Sequence, residues 1–589
     1  MKKRTAAVIA LILALVMLTG CSLPGTDLSG WLNETLSPIR DRGPQERNPD
    51  GVMFRDMHYS RPDIDRLTAD VKAVESALES GAPLDRVEEL LDVCMDGYDD
   101  FATMYHLANI YNCKDMRDEY YAAEYEWIST VEADVSDIFD ELYYACAGSP
   151  LGKKLEEDYF WEGFCEDYAD PDDSYYTDET VALMQRESEL VSRYRELVAS
   201  PTVIYQGEER EVFELLDELS GFSYLTVLRM YYEKYNRDFA DIYIEMMRAR
   251  SEMAEAMGFS STEEMEFVFG FDRDYSPEDA AFFVSEVKTH LVPIYVWAKE
   301  NGVLYSVDYS PLSADALYSS MEKVAQSIGG ECSDAFDFMS TYGLYDIEPS
   351  VYKAATSFQA YLPSYEAPFI FLKPKETTQD LMTFVHEFGH FTDSYHNLGA
   401  SETIDVAEVF SQSLEFLSLS HMDGVLSRSQ VAALREASMI DALDTFIQQA
   451  ALADFEHKAY AIGPDALTAE KLNELALQTA QEFGFCEAGF EEYYQYYWMD
   501  ITHLFESPFY VISYPVSLDV ALQIYSLELQ KPGSGMDKYF EILPRDYDSF
   551  MDTVIHGGLK SPFEENSMAT VADVIGSTLG YKSSYYAAA

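Results

Sequence analysis

From about residue 62 onward, apolar side chains recur every three to four positions over long stretches, and acidic residues fill the opposite face. That period marks amphipathic helices, which bury one stripe and solvate the other. It predicts helices over Asp63–Ser80, Leu84–Asp96, Lys114–Cys146, Asp178–Val198 and Pro277–Ala298. Breaks fall where Gly and Pro interrupt the period, at Gly81-Ala82-Pro83, Gly148-Ser149-Pro150 and the turn-rich Asp170-Pro171-Asp172-Asp173-Ser174. Strand character is concentrated in Lys353–Tyr361 and Pro368–Lys373. The expectation is a mainly α protein with one small β-sheet.

The first twenty-one residues follow a different pattern. Lys2, Lys3 and Arg4 precede the apolar run Ala6–Leu18, which is too short for a comfortable membrane span and suits a secretory signal. It ends in Leu18-Thr19-Gly20-Cys21, which resembles the bacterial lipobox. That resemblance implies a lipid on Cys21, a bacterial membrane as partner, and a globule held outside the cytoplasm in the cell envelope. The Pro- and Gly-rich segment that follows reads as a flexible tether, residues 22–58. Residues 59–200 then form an N-terminal helical domain, and 201–582 the domain that carries the chemistry.

A net charge of −65 over 589 residues argues against nucleic acid or anionic headgroups as ligands. Its plainest cause is solubility. With 48% hydrophobic residues the chain still builds a large core, which rules out global disorder. Cys94, Cys113, Cys146, Cys165, Cys332 and Cys486 contain no C-x-x-C pair, which speaks against a thiolate metal site. One or two disulfides among Cys94–Cys165 stay open.

The chemistry concentrates in His386-Glu387-Phe388-Gly389-His390. Histidines at i and i+4 share a helix face, so both imidazoles can bind one Zn²⁺. Glu387 lies about 100° further round, within reach of a water on the metal as general base. A helix here is expected on independent grounds. Thr377-x-x-Asp380 matches an N-terminal capping box, Leu381, Met382, Phe384 and Val385 supply an apolar face, and Gly399 can end it.

A third ligand is needed. His396 stands ten positions after His386, but the chain reversal that would turn it back is usually permitted by a Gly where this chain has Asp393. Glu408 and Glu415 share one face of a predicted helix, Glu402–Ser418, and either carboxylate completes a His/His/Glu site with an open position. Spacing does not choose between them.

These residues resemble the zinc oligopeptidases that include thimet oligopeptidase and, closer, oligoendopeptidase F. The resemblance rests on Pro368–Lys373 leading into Thr377-Thr378-Gln379-Asp380 and the metal motif, and on Glu408-Val-Phe-Ser-Gln-Ser-Leu-Glu415. A further block, Trp498-Met-Asp-Ile-Thr-His503 through Phe509-Tyr510-Val511-Ile-Ser-Tyr514, supports it. It implies Glu415 as third ligand with Glu408 as an accompanying acid behind it. It also implies His503, Tyr510 and Tyr514 as donors to substrate and oxyanion. After Tyr514 this chain has Pro515-Val516-Ser517 where the family usually has Ala-Thr-Gly, and Ile512 replaces an expected aromatic; both departures bear on specificity.

What the resemblance implies is a zincin-like metallopeptidase with two helical halves around a deep substrate channel and a small sheet beside the metal helix. It would hold one Zn²⁺ per chain and act as a monomer on internal bonds of short peptides. A peptidyl-dipeptidase and a peptide-binding lipoprotein without turnover are the competing readings.

Overall fold

The computed structural model describes residues 47–582 apart from 162, 169–174, 176, 306–308, 400–402 and 545–548. The expected signal, Cys21 and residues 22–46 of the tether lie outside the described residues. Helices dominate, as expected. The N-terminal ones are α1 (Ile64–Glu79), α2 (Leu84–Lys114), α3 (Glu119–Ala147) and α4 (Asp178–Ala199). Those that follow before the site are α5 (Phe222–Ala256), α6 (Pro277–His290) and α7 (Val292–Glu300).

Three boundaries differ from the sequence reading. Helix α2 does not stop at Asp96, because Gly97 is a packing contact and not a break: a Cβ there would lie 2.9 Å from Leu67 Cδ1 of α1. The next helix starts at Glu119, where the Asp118 carboxylate accepts the amides of Tyr120 and Tyr121. The stretch Pro277–Ala298 is two helices, with Pro293 in the first turn of the second.

Apolar faces of α1–α3 close on one core through Val74, Leu91, Phe101, Phe139 and Tyr143. Leu107 and Ile110 of α2, and Leu190 and Tyr194 of α4, join a second and larger core with everything downstream. The larger core also takes in Phe54 and Met57, so the two cores interleave along the N-terminal residues. The expected boundary at residue 200 lies just past the end of α4. The six cysteines beyond Cys21 are thiols. No helix among the described residues is long and apolar enough to cross a membrane.

The sheets are small. Strands β1 (Thr202–Tyr205) and β2 (Glu208–Glu211) form a hairpin. Strands β3 (Tyr345–Asp346), β4 (Phe358–Leu362) and β5 (Ala367–Phe371) form a sheet in the order β3-β5-β4. Strand β5 is central and wholly buried, antiparallel to β4 with Ala360 opposite Phe369 and parallel to β3 with Tyr345 opposite Ile370. Lys353, expected in the strand, is instead buried, with its ammonium on the carbonyls of Asp346 and Leu372.

From β5 the chain passes into α8 (Gln379–Asn397), then α9 (Ile404–Ser418) and α10 (Arg428–Ile462). A short helix, Thr502–Glu506, and a 3₁₀ turn, Tyr510–Ile512, lead into α11 (Ser513–Gln530). Helices α8, α9 and α11 form the centre of the larger core through Phe388, Phe410, Leu414, Val516 and Val520.

Burial drives the carboxyls of Glu456 on α10 and Asp519 on α11 up, to about 8 and about 7. Both values lie above those of an unfolded chain, so each acid stabilises the fold at low pH. That contribution is lost as pH rises through 7–8. The melting temperature of the chelator-treated protein is therefore expected to rise as pH falls from about 8 to about 5.5, and Asp519→Asn should flatten the slope. Calorimetry across that range checks both; a flat or opposite profile would contradict the assignment.

Candidate active site

Helix α8 begins after a turn in which the Asp380 carboxylate accepts the amides of Lys375 and Thr377, each at 2.8 Å. This is one half of the expected capping box; the Thr377 hydroxyl is buried without a hydrogen bond. At the other end Leu398 adopts a left-handed conformation, φ 56°, and the Gly399 amide donates to the Ser394 carbonyl. Arg47 donates to the carbonyls of Tyr395 and His396, capping the negative end of the helix dipole.

Helix α8 passes α9 at very short range. A Cβ on Gly389 would stand 2.5 Å from the Ser411 Cα and 3.0 Å from the Phe410 carbonyl oxygen. Glycine between the two histidine turns is what lets the backbones meet. Ser411 lies midway between Glu408 and Glu415, so the crossing sets one carboxylate on each side of His386. The Nδ1 of His386 is 2.7 Å from Glu415 Oε1, and its Nε2 is 3.7 Å from Glu408 Oε2.

Both glutamates expected near the metal thus stand beside His386, one at each ring nitrogen. Donor atoms of His386, His390 and Glu408 lie within 4.8 Å of one another. Glu415 meets His386 at its other ring nitrogen, Nδ1. A carboxylate there fixes the tautomer that turns Nε2 toward Glu408 and raises the basicity of the ring. Glu408 is itself oriented by the Ser411 hydroxyl at 3.1 Å and the Gln412 amide at 3.4 Å. Helix α8 runs straight on through Asp393, so His396 does not turn back; its Nδ1 lies 3.3 Å from Glu331.

Electrostatics follow from this placement. Burial alone would lower His386, but the Glu415 hydrogen bond and the charges of Glu408, Glu415 and Glu387 outweigh it and raise the ring to about 10. Burial pushes Glu387 up to about 7, against the charge of His386 and the Gln359 backbone amide of β4, which favour its ionised form. Burial and the neighbouring His386 hold His390 well below its usual value. Two imidazoles and a carboxylate, with three acidic groups around His386, fit a divalent cation of the zinc type.

The second expected cluster also assembles. The rings of His503 and Tyr510 stack at 5.4 Å, and Tyr514 meets Tyr510 edge-on at 5.3 Å and His503 at 6.5 Å. Gln412 joins the clusters, since its amide reaches both Glu408 and the Tyr514 carbonyl, the latter at 3.5 Å. Burial lowers His503, opposed by the charge of Glu506, so the ring is neutral at pH 7. Gln412 and Gly389 are site residues that motif reasoning passed over; the small residue between the histidines was the available signal.

With this geometry in hand, a family model described as Peptidase M3 N-terminal domain matches residues 54–164, and one described as Peptidase family M3 matches residues 335–545. The chain belongs to peptidase family M3. This is a metallopeptidase family, zinc-dependent in general, and the expected likeness to oligoendopeptidase F is borne out. An oligoendopeptidase F homolog of Lactococcus lactis is 28% identical over 215 residues, 34% of this chain and 34% of the relative. A homolog of Borreliella burgdorferi is 24% identical over 191 residues, 30% of this chain and 31% of the relative. The matches thus span about a third of each relative's length. The fold of this M3 chain is shared with PZ peptidase A, solved with an inhibitor: TM-score 0.71 at 22% identity, covering 90% of this chain and 98% of that one.

Gly389→Ala should wedge α8 from α9 and cost about 1–3 kcal/mol of stability by overpacking. Denaturant unfolding checks this; a variant as stable as the parent would mean that the helices do not cross here.

Proposed function

We propose that this M3 peptidase is a zinc-dependent oligoendopeptidase that hydrolyses internal bonds of short peptides. We further propose that a lipid on Cys21 tethers it to a bacterial membrane, with the globule extracytoplasmic in the cell envelope. The observation that carries the enzymatic reading is the convergence of His386, His390 and Glu408 with Glu387 beside them. Those three would hold Zn²⁺ and leave a position for water or substrate. When bound, the metal supplies a Lewis acid that polarises the scissile carbonyl and acidifies water.

The chain's own groups do the rest. Glu387 takes the proton of the attacking water and hands it to the leaving amine. Its carboxyl, at about 7 in the metal-free protein, suits a group that must both accept and release a proton near neutrality. Neutral His503 and the phenols of Tyr510 and Tyr514 donate to the oxyanion as it forms. Strand β4, at the sheet's edge, aligns the peptide backbone past Glu387, which gives tolerance of side chains. A channel between helical halves excludes folded proteins.

Two measurements test this. Internally quenched peptides of graded length should be cut at internal bonds, with activity lost in Glu387→Gln and with a chelator; a folded protein should stay intact. Release of C-terminal dipeptides alone would overturn the endopeptidase reading. Elemental analysis after dialysis should show Glu408→Gln without stoichiometric zinc, and Glu415→Gln still loaded but about 10–100-fold weaker in affinity. The reverse pattern would return Glu415 to the ligand set.

A further inference from the structure

The segment that carries His503 and Tyr510 and leads into α11 at Tyr514 has only short helical turns, which do not position donors by themselves. Buried polar side chains hold it at nearly every step. Arg250, fully buried, donates to the carbonyls of Leu504, at 3.3 Å, and Phe505, at 2.6 Å. Glu456, also fully buried, accepts the Phe509 amide at 3.1 and 3.2 Å. Phe509 is a non-glycine residue at φ 60°, a strained conformation that persists where neighbours fix it.

Arg273 holds the far end. Its side chain has no solvent exposure, and its guanidinium lies 4.5 Å from the ring centres of Phe267 and Phe271. Nη2 donates to the Ser513 hydroxyl at 2.8 Å and to the Tyr510 carbonyl at 3.4 Å, so it grips the turn on both sides of Val511 and Ile512. Its Nε lies 3.6 Å from Asp405, which is equally buried and sits in the first turn of α9, three residues before Glu408. The Ser517 hydroxyl of α11 closes the arrangement by donating to the Asp405 and Ser513 carbonyls, both at 2.8 Å. The loop delivering Arg273 includes a π-helical turn, Glu266–Gly270, a local irregularity often found at functional sites.

A buried ion pair is a poor way to gain stability, since apolar residues of similar volume do as well or better. What this pair does supply is a fixed distance between two elements: the turn that carries the tyrosines and the helix that carries Glu408. We infer that Arg273 is a positioning residue for the reaction, a yoke that sets the Tyr510–Tyr514 donors against the metal-side residues. This rests on the oligopeptidase reading above. Donors that stabilise charge only in the transition state must be held in advance, and a displacement of about 1 Å can cost about 100-fold in rate.

The variants are Arg273→Lys, which keeps the charge but cannot span Asp405 and Ser513 together, Ser513→Ala, and the double variant. Each is assayed for zinc content, melting temperature, kcat and KM per site titrated with a phosphinic peptide, a tetrahedral analogue. Lys at 273 should lower kcat at least tenfold, leave KM within about twofold, and weaken phosphinate affinity by the same factor as kcat. Ser513→Ala should act in the same sense, and the double variant should be no worse than Arg273→Lys alone. A merely structural role would lower the melting temperature or the fraction of titratable sites while kcat per site stayed unchanged, and that result overturns the inference. An inactive wild type would overturn both this inference and the oligopeptidase reading; unchanged kcat in variants of an active wild type overturns this inference alone.

Discussion

The site depends on one contact, the crossing of α8 over α9 at Gly389 and Ser411. A helix presents its i and i+4 side chains to one neighbour only when that neighbour lies at a definite distance and rotation. Here the distance is set by the missing side chain, since any Cβ at 389 would collide with the Ser411 backbone. Because Ser411 lies between Glu408 and Glu415, the crossing sets His386 between two carboxylates, one for each ring nitrogen. Moving the crossing by one turn would leave one nitrogen without its acid.

The opposite wall is built in another way. Residues 502–512 arrive more than a hundred positions after the metal motif and form only short helical turns before α11. Their geometry comes from Arg250, Glu456 and Arg273, which lie on or after other helices and reach backbone atoms directly. A hydrogen bond to a carbonyl or an amide fixes the main chain whatever side chains it bears. The segment can therefore keep its donors in place across a non-glycine residue at positive φ.

That contrast explains what the sequence could reveal. The metal helix was legible because its ligands are local: two histidines one turn apart, an apolar face, a following Gly. So was the helical class, and so was the cluster of His503, Tyr510 and Tyr514 once a family block was matched. The choice between Glu408 and Glu415 was not legible. Seven residues apart, they share a face, and spacing along the helix does not separate them. Helix ends at Gly97 and Pro293 failed for related reasons: one Gly serves close packing and one Pro starts a new helix. Arg273 and Asp405, 132 positions apart, carry no periodic signal at all.

Charge explains why the metal-side cluster has the composition it does. Glu387, Glu408 and Glu415 surround His386, and their combined field outweighs the desolvation of the ring, raising it to about 10. A proton is thus the least cation that this cluster accepts, and it is an incomplete answer to three acids. Glu387 shows the remainder: burial and the charges of Glu408 and Glu415 push its carboxyl up to about 7, against the pull of His386. His390, buried beside the cationic His386, goes the other way and stays neutral. A divalent cation would answer all three together. It would balance two of the carboxylates and would need His390 neutral, as burial already makes it.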